Sequence, residues 1–345
     1  MKKLSVILCL VLLVSNAALL ISCNGQDVLR VYNWGEYIDE DILKEFTDET
    51  GIKISYSTYA SNEELYAKIK AGGSRYDIII PTDYMIERMI REDMLEKIDF
   101  NNIPNFTNID PRFKNRAYDP ASEYSVPYTW GTNGILYNTE MVYEEVDSWD
   151  VLWDERYASQ IIMYDSMRDS FIPALIKLGF SINTRNVDEL TQARDLLIAQ
   201  KPLVHAYMGD TMRDSMIGGE AAIGLMFSGD AVYCMEENPS LAYAIPKEGS
   251  NVWFDAVAIP KGAKHKENAE AFINFLCKPE ISLKNTEYIG FSTVNAETLK
   301  MLPQELLENP AYWPSDEVIA NCEILLDLGD FAKEFDKAWT MVLAK

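Results

Sequence analysis

The first third of the chain alternates apolar strand signals with helix signals, and this restricts the architecture more than any other feature. Residues 28–32 read as a strand that breaks at Asn33, and a helix over 38–47 follows. Residues 52–58 form a second strand, with Ile52, Ile54 and Tyr56 falling on one face. Ser61-Asn62-Glu63-Glu64 is a capping box that opens a helix carrying Leu65 and Ile69, ended by Gly72-Gly73. Asp77-Ile78-Ile79-Ile80 is the short continuous apolar run of a strand buried on both faces. It stops at Pro81, and Thr82 caps a helix containing Met85 and Met89. The unit is βαβαβ, which calls for a parallel sheet.

The alternation then resumes. Residues 124–137, rich in aromatics with Gly131 and Gly134 in the middle, read as an extended crossover. A second set follows: a strand at 160–163, helices near 171–178, 187–200 and 211–217, and a strand at 221–226. Residues 253–259 are a second crossover strand, followed by a helix at 268–277 and a largely helical tail. A length of 345 residues with 48% apolar content allows two domains with sizeable cores. The expected fold is α/β, two lobes with parallel-rich sheets joined by two crossover strands. One lobe takes 24–131 plus 255–300, the other 132–254 plus 301–345.

Residues 1–22 are a targeting segment outside the fold. Lys2-Lys3 supplies the positive end, and the apolar run from Leu4 to Val14 is short for a membrane span. Leu20-Ile21-Ser22-Cys23 reads as a lipobox, which implies cleavage before Cys23 and a diacylglycerol on its sulfur. An ordinary signal peptide cut near Ala17-Ala18, or an uncleaved anchor, is the alternative. With the lipobox, the mature protein is tied to a membrane and faces out of the cytoplasm.

Charge and cysteine usage remove several function classes. The formal net charge is −23, and more negative without Lys2 and Lys3, which argues against nucleic acid and anionic membrane surfaces as partners. Beyond Cys9 and Cys23, the scattered Cys234, Cys277 and Cys322 form no disulfide framework or zinc motif. Cys277 lies in the apolar run 271–277 and reads as a buried thiol; His265, in a lysine-rich loop, reads as a solvated surface residue. Two histidines leave little material for a metal or nucleophilic site, and no cofactor is expected.

Open α/β sheets bind ligands in loops at the carboxyl ends of their strands. After the first strand, Trp34, Glu36 and Tyr37 offer a π face, a charge and a hydroxyl, a combination suited to an organic cation. Trp253 and Asp255 alternate onto one face of the second crossover, opposite Phe254. Trp130, Trp149 and Trp153 read as packing positions, and the methionines from Met85 to Met94 as core.

Six stretches together carry a family resemblance. These are Tyr32-Asn33-Trp34-Gly35-Glu36-Tyr37, Tyr76-Asp77-Ile78-Ile79-Ile80-Pro81-Thr82, Val126-Pro127-Tyr128-Thr129-Trp130-Gly131, Ser148-Trp149-Asp150-Val151-Leu152-Trp153, Ile245-Pro246-Lys247-Glu248-Gly249 and Ala258-Ile259-Pro260-Lys261-Gly262-Ala263. In this order, and across essentially the whole mature chain, they resemble the spermidine/putrescine-binding proteins that feed bacterial ABC importers. The resemblance implies a type II periplasmic-binding-protein fold whose lobes close on ligand. It implies cleft residues Trp34, Gly35, Glu36, Tyr37, Thr82, Tyr84, Asp169, Phe227, Asp230, Trp253, Asp255 and Phe291. It also implies delivery to inner-membrane permease subunits driven by a cytoplasmic ATPase.

Three positions depart from the spermidine-selective branch, which the resemblance credits with an aspartate at Ser166, a tryptophan at Phe227 and a glutamine near Leu325. The putrescine-selective branch has an acid after the Ser-Gly or Ala-Gly turn, as Ser228-Gly229-Asp230 supplies here. The resemblance therefore implies a preference for putrescine, with spermidine weaker. Several residues also admit structural roles: Asp230 and Glu36 as helix caps, Asp169 as a partner of Arg168. The competing functions are a sibling receptor for a sugar or ferric ion, an enzyme of the thiaminase kind needing a cleft cysteine, and an adhesin.

Overall fold

The computed structural model describes residues 28–344 apart from 73, 74 and 210. The targeting segment and Cys23 lie outside the described residues.

The opening unit forms β1 (Val28–Trp34), α1 (Glu40–Thr50), β2 (Lys53–Tyr59), α2 (Asn62–Lys70), β3 (Ile78–Ile79) and α3 (Asp83–Arg91). Strand β1 runs past Asn33 because its parallel ladder with β2 continues to the pairs Asn33–Thr58 and Trp34–Tyr59. Helix α1 starts later than residue 38, where Asp39 accepts from Asp41 N–H at 2.9 Å, and it ends at Gly51, whose φ of 76° is left-handed. The capping box is offset: Ser61 Oγ accepts from Glu64 N–H, while the Glu64 carboxylate takes the N–H of Ala60. Thr82 occupies the N-cap of α3 without capping through its side chain, which accepts from Asn62 instead. His265 is not a solvated residue. Its Nδ1 sits 3.0 Å from the buried Asp77 carboxylate, which also takes the N–H of Arg30 and so ties the helix-leading loop to β1.

The remaining elements used below are β4 (Ser125–Asn138), β5 (Ile161–Tyr164), α4 (Met167–Lys177), α5 (Val187–Gln200), β6 (Val204–Met208), α6 (Met212–Ile217), β7 (Ile223–Phe227) and α7 (Ser228–Glu237). They are followed by β8 (Leu241–Ala244), β9 (Val252–Ala258), α8 (Lys266–Leu276), α9 (Pro279–Ile289) and β10 (Ser292–Thr293). The strands run in the order β2-β1-β3-β9-β4-β7-β5-β6, with β8 and β10 pairing onto β4. Pairing is parallel at both ends (β1 with β2 and β3; β5 with β6 and β7) and antiparallel through β9 and β4 in the centre. These are the two crossover strands, and β4 pairs with elements of both halves.

Two large cores flank the crossovers. One is built from Leu29 to Trp130 together with Val252 to Val294, the other from Ile135 to Leu241 together with Leu325 to Val342. A small third cluster joins Val232 to Leu302, Ala311 and Tyr312. The Tyr312 hydroxyl also accepts from Thr293 N–H at 3.3 Å, so this part of the tail touches both halves. Trp130 and Trp149 are core residues, as are Met85 and Met89. Phe254 packs on Trp130, Phe113 and Tyr118, on the face opposite Trp253 and Asp255.

Candidate functional site

A cavity of about 340 Å³ opens where strand ends from both halves converge. Its wall contains every cleft residue that the sequence reading names, from Trp34 through Phe291. It carries seven carboxylates and two arginines, so its field favours a cation.

Asp255 is the centre of the arrangement. It lies on β9, is only 5% exposed, and pairs across an isolated bridge with Thr82. Its Oδ2 accepts from the Tyr37 hydroxyl at 2.7 Å, and that hydroxyl also lies 2.6 Å from Thr129 Oγ1. The other oxygen, Oδ1, is buried and has no hydrogen-bond partner among the described residues. Burial pushes the Asp255 carboxyl up to about 6, against the opposing pull of the Tyr37 hydroxyl. An ionised, half-satisfied carboxylate in such a place is costly without an added cationic donor.

The aromatic residues form a connected wall. Trp253 meets Phe227 edge-to-face at 5.8 Å and Phe291 at 5.3 Å, and Phe291 meets Tyr37 at 5.3 Å. Glycines make the approach possible. A Cβ on Gly131 would lie 2.5 Å from the Trp253 ring, and one on Gly229 would overlap Phe291. Trp34 is anchored by donation from Nε1 to the Ile80 carbonyl at 2.9 Å and leans on Tyr59 at 4.6 Å. Tyr84 donates to Glu63 at 3.2 Å, and Asp83 beside it accepts from Phe254 N–H at 3.2 Å, tying α3 to β9.

Asp169, Glu36 and Asp230 each have partners. Asp169 accepts from Asn133 at 3.0 Å and from the Ser166 hydroxyl; burial raises its pKa. Arg168 is directed elsewhere: it donates to the Leu326 carbonyl at 3.1 Å and to Asn183 at 3.2 Å, and lies over the Tyr84 ring. Glu36 sits in the left-handed region at φ 47° and pairs with Arg213 Nη2, while Arg213 Nη1 lies 3.6 Å from Asp230. The helix after Glu36 is capped by Asp39 rather than by Glu36. Arg213 was missed in the sequence. It follows β6, a strand whose residues are nearly all half-exposed, so the cue of a loop at a strand's carboxyl end was absent. Ser166 and Leu325, the positions singled out for ligand preference, also line the cavity.

None of the described cysteines lies in the cavity wall. Burial pushes the thiols of Cys234 and Cys277 up to about 12 and that of Cys322 to about 11, away from a reactive thiolate.

The chain is 36% identical over 323 residues to the spermidine/putrescine-binding periplasmic protein of Salmonella typhimurium, covering 93% of each. A spermidine/putrescine ABC transporter substrate-binding protein from Streptococcus pneumoniae superposes with a TM-score of 0.81 at 40% identity, over 92% of this chain and 99% of that one. A lipoprotein of Treponema pallidum superposes with a TM-score of 0.84 at 31% identity, over the same shares. The family model of the bacterial extracellular solute-binding proteins matches residues 41–312. With the two-lobed fold and the acidic, aromatic-walled cavity, these matches establish that the chain belongs to the bacterial extracellular solute-binding proteins.

Proposed function

We propose that the chain is an extracytoplasmic polyamine receptor that binds putrescine, and spermidine more weakly, and delivers it to an ABC permease. The observation that carries the reading is Asp255 Oδ1, a buried carboxylate oxygen without a partner among the described residues, beside the Trp253–Phe227–Phe291 wall. An ammonium there supplies the missing donor and keeps the carboxylate ionised. Desolvating that ammonium costs several kcal/mol, offset only by paired carboxylates and acceptors. The tetramethylene chain of putrescine adds roughly 3 kcal/mol on burial, at about 0.8 kcal/mol per CH₂. Asp230 at the turn after β7 and the uncharged Ser166 and Leu325 support the diamine over the triamine.

The moving bodies in this reading are 24–131 with 255–300, and 132–254 with 301–345. Ligand shifts the population toward the closed state, which the permease with its cytoplasmic ATPase recognises. The relatives named for spermidine and putrescine, and membership of a solute-binding family, support a carrier rather than an enzyme. The lipobox ending at Cys23, and the relative titled a lipoprotein, support a lipid anchor. Cys23→Ala in the full-length chain is expected to move the protein from the membrane fraction to the soluble one.

Calorimetric titration of the soluble chain starting after Cys23, with putrescine, spermidine and spermine, tests the ligand. Tight one-to-one putrescine binding is expected, weakened on the order of 100-fold in Asp255→Asn, because removing one partner of a buried charge pair costs about 2–5 kcal/mol. No heat with any polyamine from folded, ligand-stripped protein overturns the reading.

A further inference from the structure

Arg213 places a permanent cation in the wall of a cavity whose chemistry otherwise suits cations. Its side chain is 19% exposed and lies between two carboxylates, Glu36 from the loop after β1 and Asp230 at the start of α7. The cavity's other arginine, Arg168, spends its terminal nitrogens on the Leu326 carbonyl and on Asn183. Arg213 instead takes up acids that an amine would use. We propose that Arg213 is the specificity-determining residue that discriminates ligands by charge, holding down affinity for triamines and tetraamines relative to diamines. The proposal rests on the polyamine reading above.

The physical reason is additive Coulomb repulsion. A guanidinium keeps its charge throughout the accessible pH range. Each ammonium brought into the same cavity feels that charge, so the penalty grows with the number of charges on the ligand. Arg213 also partly neutralises Glu36 and Asp230, which lowers the attraction a long cation would meet. A purely mechanical role, clamping the lobes, is the competing account, since the Glu36–Arg213 pair joins residues of the two halves. Glu36 is 70% exposed, however, and an ion pair so open to solvent adds little to closure.

The two accounts differ in sign. Butylamine, putrescine, spermidine and spermine are titrated calorimetrically into the wild type, Arg213→Gln and Arg213→Lys, with far-UV circular dichroism checking that each is folded. Arg213→Gln is expected to tighten putrescine by about threefold and to raise the spermidine-to-putrescine affinity ratio by about twofold or more. Arg213→Lys, which keeps the charge, is expected to keep the wild-type ratio. Equal weakening of all four amines in Arg213→Gln overturns the proposal in favour of a clamp, and an unchanged ratio overturns it outright. Failure of the wild type to bind any amine overturns the polyamine reading itself, an outcome separate from either of these.

Discussion

Asp255 is held where a carboxylate is poorly solvated, and its raised pKa of about 6 makes two opposite demands on pH. The sign follows from linkage. A folded-state value above the unfolded one means that the folded chain binds the extra proton, so the contribution to stability is full below about 4 and is lost as pH rises through about 6. Ligand-free protein is therefore expected to melt at lower temperature as pH rises from 4 to 6, in part through Asp255, with buried Asp83 and Asp169 shifted in the same direction. Amine affinity runs the other way, because the ammonium needs the ionised carboxylate: it should rise up to about pH 6 and then level off. Asp255→Asn separates the two effects. It should bind putrescine on the order of 100-fold more weakly yet gain on the order of 1–3 kcal/mol of ligand-free stability at pH 7.5, read by thermal melts. Asp255 and Trp253 were legible in the sequence because strand alternation puts them on one face, away from Phe254. The Arg213 bridge was not, because its partners lie far apart in the chain and no local periodicity encodes them.

At the scale of elements, the junctions between strands and helices decide the shape of the cavity. The clearest is β7 to α7, where Gly229 lets the Phe291 ring lie against the backbone. Gly229→Ala should push that ring aside and disturb its edge contact with Trp253. It is expected to weaken putrescine by tenfold or more and to cost about 1–3 kcal/mol in denaturant unfolding, the usual range for overpacking. Wild-type affinity in that variant would show that the Phe291 wall does not shape the site. The βαβαβ unit, both crossovers and α5 were legible because long amphipathic or continuous apolar runs carry their own signal. Strands β6, β8 and β10 were not. They are short, β6 has mostly half-exposed residues, and β8 and β10 exist through pairing with β4, a contact that no local pattern encodes. The end of β1 was misread for a similar reason: its last pairs are set by β2 rather than by the polarity of Asn33.

On the whole-molecule scale, both cores are assembled from segments distant in sequence, and the tail binds the halves together. Asp327 shows this well. Its carboxylate pairs with Arg91, its N–H donates to Glu87 at 3.0 Å, and its carbonyl accepts from Arg185 at 3.0 Å. The two-lobed plan was legible from the resumed alternation after the first crossover, whereas this strap in an irregular stretch was not. The first core needs β9, α8 and α9 as much as it needs β1 to β3, and β3 is flanked by β1 on one side and β9 on the other. A fragment of residues 24–250 therefore lacks 17 of the 42 described buried residues of its first core. It is expected to be cut rapidly by trypsin under conditions where residues 24–345 resist, and protection equal to that of the longer chain would count against this account. The same wiring sets a clock on biosynthesis. A chain emerging amino end first cannot close its first lobe until residues 252–294 have followed, and non-local assembly of this kind is slow. Its early strands must wait with an open edge, and the polypeptide stays pliable enough to be threaded through a narrow channel until almost all of it has been made.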